Sequence, residues 1–70
     1  MMFDIKQAIN IGMALYGVSH AQLAEQSGIG VSALSNLKNK GNPTLSTITK
    51  LSSSFGVPLS VFIGWGEHGQ

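Results

Sequence analysis

Apolar residues return every three or four positions along most of the chain. This is the spacing of one face of an α-helix, and no stretch shows the strict alternation of a half-buried strand. Five segments carry it. In the first, Ile5, Ala8, Ile9, Gly12, Leu15 and Tyr16 share the helical spacing, Asp4 and Gln7 offer a capping box, and Gly17 ends the run, which predicts a helix over roughly Ile5 to Tyr16. Gly12 inside that face costs about 1 kcal/mol relative to alanine, so it marks either a close helix crossing or a tolerated imperfection. A second capping box, Ser19 with Gln22, opens a helix from about His20 to Ser27 that buries Leu23 and Ala24. Gly28 can turn out of that helix without Cβ strain, and Ile29 beside it is apolar enough to bury under the turn. A third helix, about Val31 to Asn39, buries Leu34 and Leu37 and leaves Val31, Ser32, Asn36 and Asn39 on a small, mostly polar face.

After the loop Lys40-Gly41-Asn42-Pro43, the spacing resumes in Leu45, Ile48, Leu51 and Phe55, with Thr44 able to cap and Gly56 able to stop the helix. The Ser52-Ser53-Ser54 run inside it has poor helix propensity, so packing on either side has to carry the helix through. Pro58 suits the first turn of a short fifth helix holding Leu59, Phe62 and Ile63, with Gly64 as its stop and the residues from Trp65 onward as a tail. The expected fold is all-α: five short helices in one domain over residues 1–70, with a helix-turn-helix unit at about 19–39.

Seventy residues with no cysteine must hold together by a helical core alone, without disulfides or thiolate metal sites. A 43% hydrophobic content with only 10% charged residues separates the chain from disordered, charge-rich tails. The N-terminus shows no basic leader, and no apolar run approaches the ~20 residues of a membrane span. The expectation is a cytoplasmic protein, nucleoid-associated when bound to DNA, with no membrane partner.

The net charge of +1 comes from Lys6, Lys38, Lys40 and Lys50, with no arginine, so bulk charge does not announce a nucleic-acid binder. Placement says more, since Lys38 and Lys40 close the third helix, where they either complement its dipole or meet phosphate. Catalysis finds little footing. Asp4, Glu25 and Glu67 are the only carboxylates, His20 and His68 are far apart in sequence, and there is no nucleophile motif or phosphate loop. No enzyme activity, metal, cofactor or small-molecule ligand is expected.

Counting from His20, the fourth residue is Leu23, the fifth the small Ala24, the ninth Gly28, the tenth Ile29, and the fifteenth and eighteenth are Leu34 and Leu37. These six positions at fixed spacing resemble the helix-turn-helix of the Cro and lambda-repressor family, and the resemblance extends to about Gly64. Ala24 has a physical reason there, because a larger side chain would wedge the two helices apart. Two positions depart from the family pattern: Gly30 stands where a capping residue is frequent, and Ser27 where a larger apolar residue is usual.

The resemblance implies a sequence-specific regulator that binds double-stranded DNA, a Cro-like phage or prophage repressor on a roughly palindromic operator. The third helix, about 13 Å long, matches a major groove about 12 Å wide. Val31, Ser32 and Asn36 are then the base readers: Asn36 can bond adenine bidentately, and Val31 can pack on a thymine methyl, which leans the half-site towards A·T. Ser19, His20, Lys38, Asn39, Lys40, Asn42 and Thr44 are the expected backbone contacts, with His20 standing where the family places a glutamine that holds a phosphate. Because one short helix reads few bases, a homodimer is expected, with the apolar fifth helix and tail, residues 58–70, as its surface through Val61, Ile63 and Trp65. The alternative is an antitoxin that uses the same fold to cover a toxin and bind its own operator, and a neighbouring toxin gene would favour it.

Overall fold

A computed structural model describes residues 3–40 and 43–67 of the chain. Five helices follow one another: α1 (Ile5–Tyr16), α2 (His20–Ser27), α3 (Val31–Lys40), α4 (Leu45–Phe55) and α5 (Leu59–Trp65). The fold is all-α, as the apolar spacing predicts. α3 runs one residue beyond the expected end at Asn39, through Lys40.

The starts and stops are local chemistry. The Ser19 and Thr44 hydroxyls accept the amides of Gln22 and Thr47, at 3.1 and 3.2 Å, satisfying donors that the first helical turn leaves open. Gly17, Gly28 and Gly56 end α1, α2 and α4 in the left-handed region, at φ of 64°, 77° and 72°, where an L side chain would be strained. The serine run of α4 stays helical because it is flanked by residues packed into the core, and one hydroxyl of the run, that of Ser52, bonds back to the helix. Thr49 Oγ1 donates to the Leu45 carbonyl and Ser52 Oγ to that of Thr49, while Leu51 and Phe55 are buried on either side.

The core consists of Ile5, Ala8, Ile9, Leu23, Ala24, Leu34, Leu51, Phe55 and Phe62, one or more from each helix. α1 packs on α3, α4 and α5, while α2 packs on α3 and α4. The fully buried residues of α1 end at Gly12: Met13 packs against the core and Tyr16 meets the rings of Phe55 and Trp65, but Leu15, expected on the buried face, is 62% exposed.

Gly12 faces the side chain of Phe55 on α4. A Cβ built there would lie 2.6 Å from Cζ and 2.7 Å from Cε2 of Phe55, so the Phe55 ring rests directly on the α1 backbone. Of the two readings open from sequence, the close crossing is the one realised. The ring belongs to a cluster of all five aromatic residues. Phe55 meets Phe62 at 6.2 Å, Trp65 at 5.8 Å and Tyr16 at 6.0 Å between centroids, and Phe3 joins through Phe62 at 6.3 Å.

The C-terminal end differs most from expectation. Pro58 precedes α5 as its N-cap instead of lying in its first turn, and the helix continues past Gly64 to Trp65. Trp65 and the residues after it were expected to form a tail. Instead the Asp4 amide donates to the Gly66 carbonyl at 2.7 Å, Phe3 and Glu67 form an antiparallel bridge, and Gln7 Nε2 donates to the Trp65 carbonyl at 2.9 Å. This also changes the first capping box. Asp4 Oδ1 accepts the Gln7 amide as expected, but the Gln7 side chain, instead of reaching back, clasps the end of α5. His68, Gly41 and Asn42 lie outside the described residues.

The Gly12 contact yields a prediction of unusual sign. In an open helix Gly12→Ala would gain about 1 kcal/mol of propensity. Here the added methyl must displace a ring held by its neighbours, and overpacking of this kind costs about 1–3 kcal/mol. Thermal unfolding should show a Tm several degrees below wild type, and a Tm at or above wild type would mean that the Phe55 ring yields freely.

Candidate nucleic-acid interface

The unit that can present a surface is built from its caps inward. Ser19 and Gln22 form a complete capping box: besides the Ser19 hydroxyl bond, Gln22 Oε1 accepts the Ser19 amide at 2.9 Å. α2 then buries Leu23 and Ala24. Gly28 leaves the helix with its amide bonded to the Ala24 carbonyl at 3.1 Å, and Ile29 packs against the core below the turn. The Leu34 amide donates to the Gly30 carbonyl at 2.8 Å, which begins α3 directly after the turn.

At about 100° per residue, the face of α3 opposite buried Leu34 is occupied by Ser32, Asn36 and Asn39. Val31 and Ser35 flank it on one side, Ala33 and Lys40 on the other, and all seven residues are exposed. Val31, 53% exposed at the head of the helix, is an apolar side chain with no core to join. Leu37 packs inward and Lys38 is half-buried on the Leu34 side. The sequence-predicted base readers Val31, Ser32 and Asn36 therefore do share the outward surface, together with Asn39. Ser35 and Ala33 belong to that surface and are missing from the sequence-based set. The signal was present, since Ser35 lies three residues after Ser32 and four before Asn39.

The expected backbone contacts are spread over three elements. Ser19 and half-buried His20 head α2, Lys38, Asn39 and Lys40 close α3, and Thr44 caps α4. Among the described residues no hydrogen bond joins Ser19, His20 or Thr44 to the α3 face, and the hydroxyls of Ser19 and Thr44 serve their own helix caps. Asn42 lies outside the described residues. Lys50, exposed on α4, adds a third cation after the turn. Of the residues expected at a dimer surface, Val61 is 41% exposed and Ile63 half-buried. Trp65 is half-buried against Phe55, Phe62 and Tyr16, so its ring already closes the core.

Ser27, one of the two departures from the family pattern, has a visible role. Its hydroxyl donates to the Ala24 carbonyl at 3.3 Å and accepts the Ile29 amide at 3.2 Å, bridging the turn from both sides. The other departure, Gly30, brings no side-chain oxygen to the start of α3.

Among the described residues no group of three or more His, Cys, Asp or Glu side chains is arranged to hold a metal, and no helix is long and apolar enough to cross a membrane. No curated protein and no solved structure matches the chain. A family model described as helix-turn-helix, of the Cro/C1 type, matches residues 12–62, from the glycine under the Phe55 ring to the buried Phe62 of α5. With well over half of its length matched, and with α2, the glycine turn and the outward face of α3 arranged as described, the chain belongs to the Cro/C1-type helix-turn-helix family of DNA-binding transcription regulators.

Proposed function

We propose that this protein is a Cro-like phage or prophage repressor that acts in the cytoplasm, binding a roughly palindromic operator as a homodimer with α3 in the major groove. The observation that carries this reading is the division of α3: its inner side is seated by Leu34 and Leu37, and its outer side presents Val31, Ser32, Asn36 and Asn39. Ten residues at 1.5 Å each make α3 about 15 Å long, enough to cross a groove about 12 Å wide. Asn36 bonds adenine through both atoms of its amide, Val31 covers a thymine methyl, and Ser32 tolerates either partner. Lys38, Lys40, Asn39, Asn42, Thr44, Ser19 and His20 hold the phosphates on either side.

The charge of this surface gives the binding a distinctive salt response. Each phosphate neutralised by a cation contributes about −0.9 to the slope of log K against log salt. Lys38, Lys40 and Lys50 are the lysines of the chain that follow the turn, so the slope is no steeper than about −3 per protomer. Selection from randomised duplexes at moderate salt should enrich a site with two-fold symmetry, and the absence of any enriched site would end this reading. On the selected site Asn36→Ala should cost ~1–3 kcal/mol and relax preference at one or two base pairs. Lys38→Ala should weaken all sequences alike and flatten the salt slope by about one. Identical behaviour of the two variants would refute the division of labour on α3.

Dimerisation is the second element of the proposal. Val61 and Ile63 lie on the short, uncharged α5, and apolar surface of this kind fits a second copy of the chain. Because Val61 is 41% exposed, Val61→Asp should leave the monomer's Tm within a few degrees. It should nevertheless reduce operator affinity at least tenfold and shift sedimentation from dimer to monomer. A variant that sediments and binds as wild type would place the dimer contact elsewhere.

A further inference from the structure

The turn between α2 and α3 is held by two backbone hydrogen bonds, by the partial burial of Ile29 and by one side-chain hydroxyl. Gly28 and Gly30 stand on either side of Ile29, and a Cβ at either glycine would meet nothing within 4 Å, so packing does not restrain the backbone at those two points. Ile29 itself is only half-buried, and Gly30 offers α3 no side-chain cap. Against this, the Ser27 hydroxyl ties the last turn of α2 to the far side of the glycine, donating to the Ala24 carbonyl and accepting the Ile29 amide, at 3.3 and 3.2 Å. An apolar residue at this position would contribute neither bond.

We infer that Ser27 is a positioning residue for DNA recognition: its hydroxyl clamps the α2–α3 turn and thereby holds the outward face of α3 at the angle from which it reads base edges. The inference rests on the reading of α3 as the DNA-reading helix. Base-edge hydrogen bonds are directional and fail when the helix swings, whereas phosphate contacts by lysine tolerate the movement. Loss of the clamp therefore weakens binding to the preferred site and spares binding to random duplex, which phosphate contacts sustain.

Ser27→Ala tests this cleanly, because alanine at a half-buried helix position favours the helix and the domain remains folded. Ser27→Thr retains the hydroxyl as a control. Two quantities are measured: amide hydrogen exchange at Ile29 in the free protein, and the ratio of affinity for the selected duplex to that for a random duplex at one salt concentration. In Ser27→Ala the Ile29 amide should exchange about tenfold faster and the affinity ratio should fall about tenfold, with Tm within a few degrees of wild type, and Ser27→Thr should restore both. An unchanged ratio in Ser27→Ala, or an equal loss on both duplexes, overturns the positioning role, as does failure of threonine to rescue. A wild-type protein with no preferred duplex overturns the reading of α3 and the recognition role with it. The exchange rates, measured without DNA, decide separately whether the hydroxyl clamps the turn.

Discussion

Where the Phe55 ring lies over Gly12, a side chain of α4 approaches the backbone of α1 more closely than a Cβ at that position would permit. The helix-turn-helix unit is seated on the two helices joined at this contact. α2 packs on α4 and α3 packs on α1, besides packing on each other, so the seating of α1 against α4 is part of what supports the pair. The Ser27 hydroxyl, proposed as the clamp of the α2–α3 turn, bonds within the unit itself.

The aromatic cluster makes that contact stiff. Tyr16, Phe55, Phe62 and Trp65 meet in offset and edge-on geometries at centroid separations of 5.8 to 6.2 Å, each pair adding about 0.5–1.5 kcal/mol beyond the area it buries. The Trp65 ring is carried on the end of α5, and that end is held by Gln7 and Asp4 at the start of α1. Gly66 is as confined as Gly12: a Cβ there would stand 2.7 Å from the Asp4 carbonyl oxygen. A chain of 70 residues without disulfides thus fastens the start of α1 to the end of α5 and sets its only tryptophan against the core.

A surface this poor in charge constrains how its family's activity can be carried out. With no arginine and a net charge of +1, long-range attraction to DNA is weak, and discrimination has to come from directional hydrogen bonds and apolar contact. Such contacts demand a helix held at a fixed angle, a requirement that falls on α3 in the function proposed for it.

The elements themselves were legible in the residues. The capping box at Ser19 and Gln22, the left-handed glycines at 17, 28 and 56, and the apolar spacing of Leu45, Ile48, Leu51 and Phe55 are local instructions, each satisfied within a turn or two of its own helix. The spacing likewise separated the inner and outer sides of α3, although Ser35 and Ala33 went unrecognised on the outer one. What the sequence could not decide were questions whose answers lie far along the chain. Whether Gly12 marked a crossing depended on Phe55, whether Gln7 completed a capping box depended on the Trp65 carbonyl, and whether the residues after Gly64 formed a tail depended on Asp4 and Phe3. Caps and periodicity are properties of neighbouring residues and can be read in order. The seating of a ring on a distant backbone and the joining of the start of α1 to the end of α5 exist only once the helices have packed, because each brings together residues far apart in the chain.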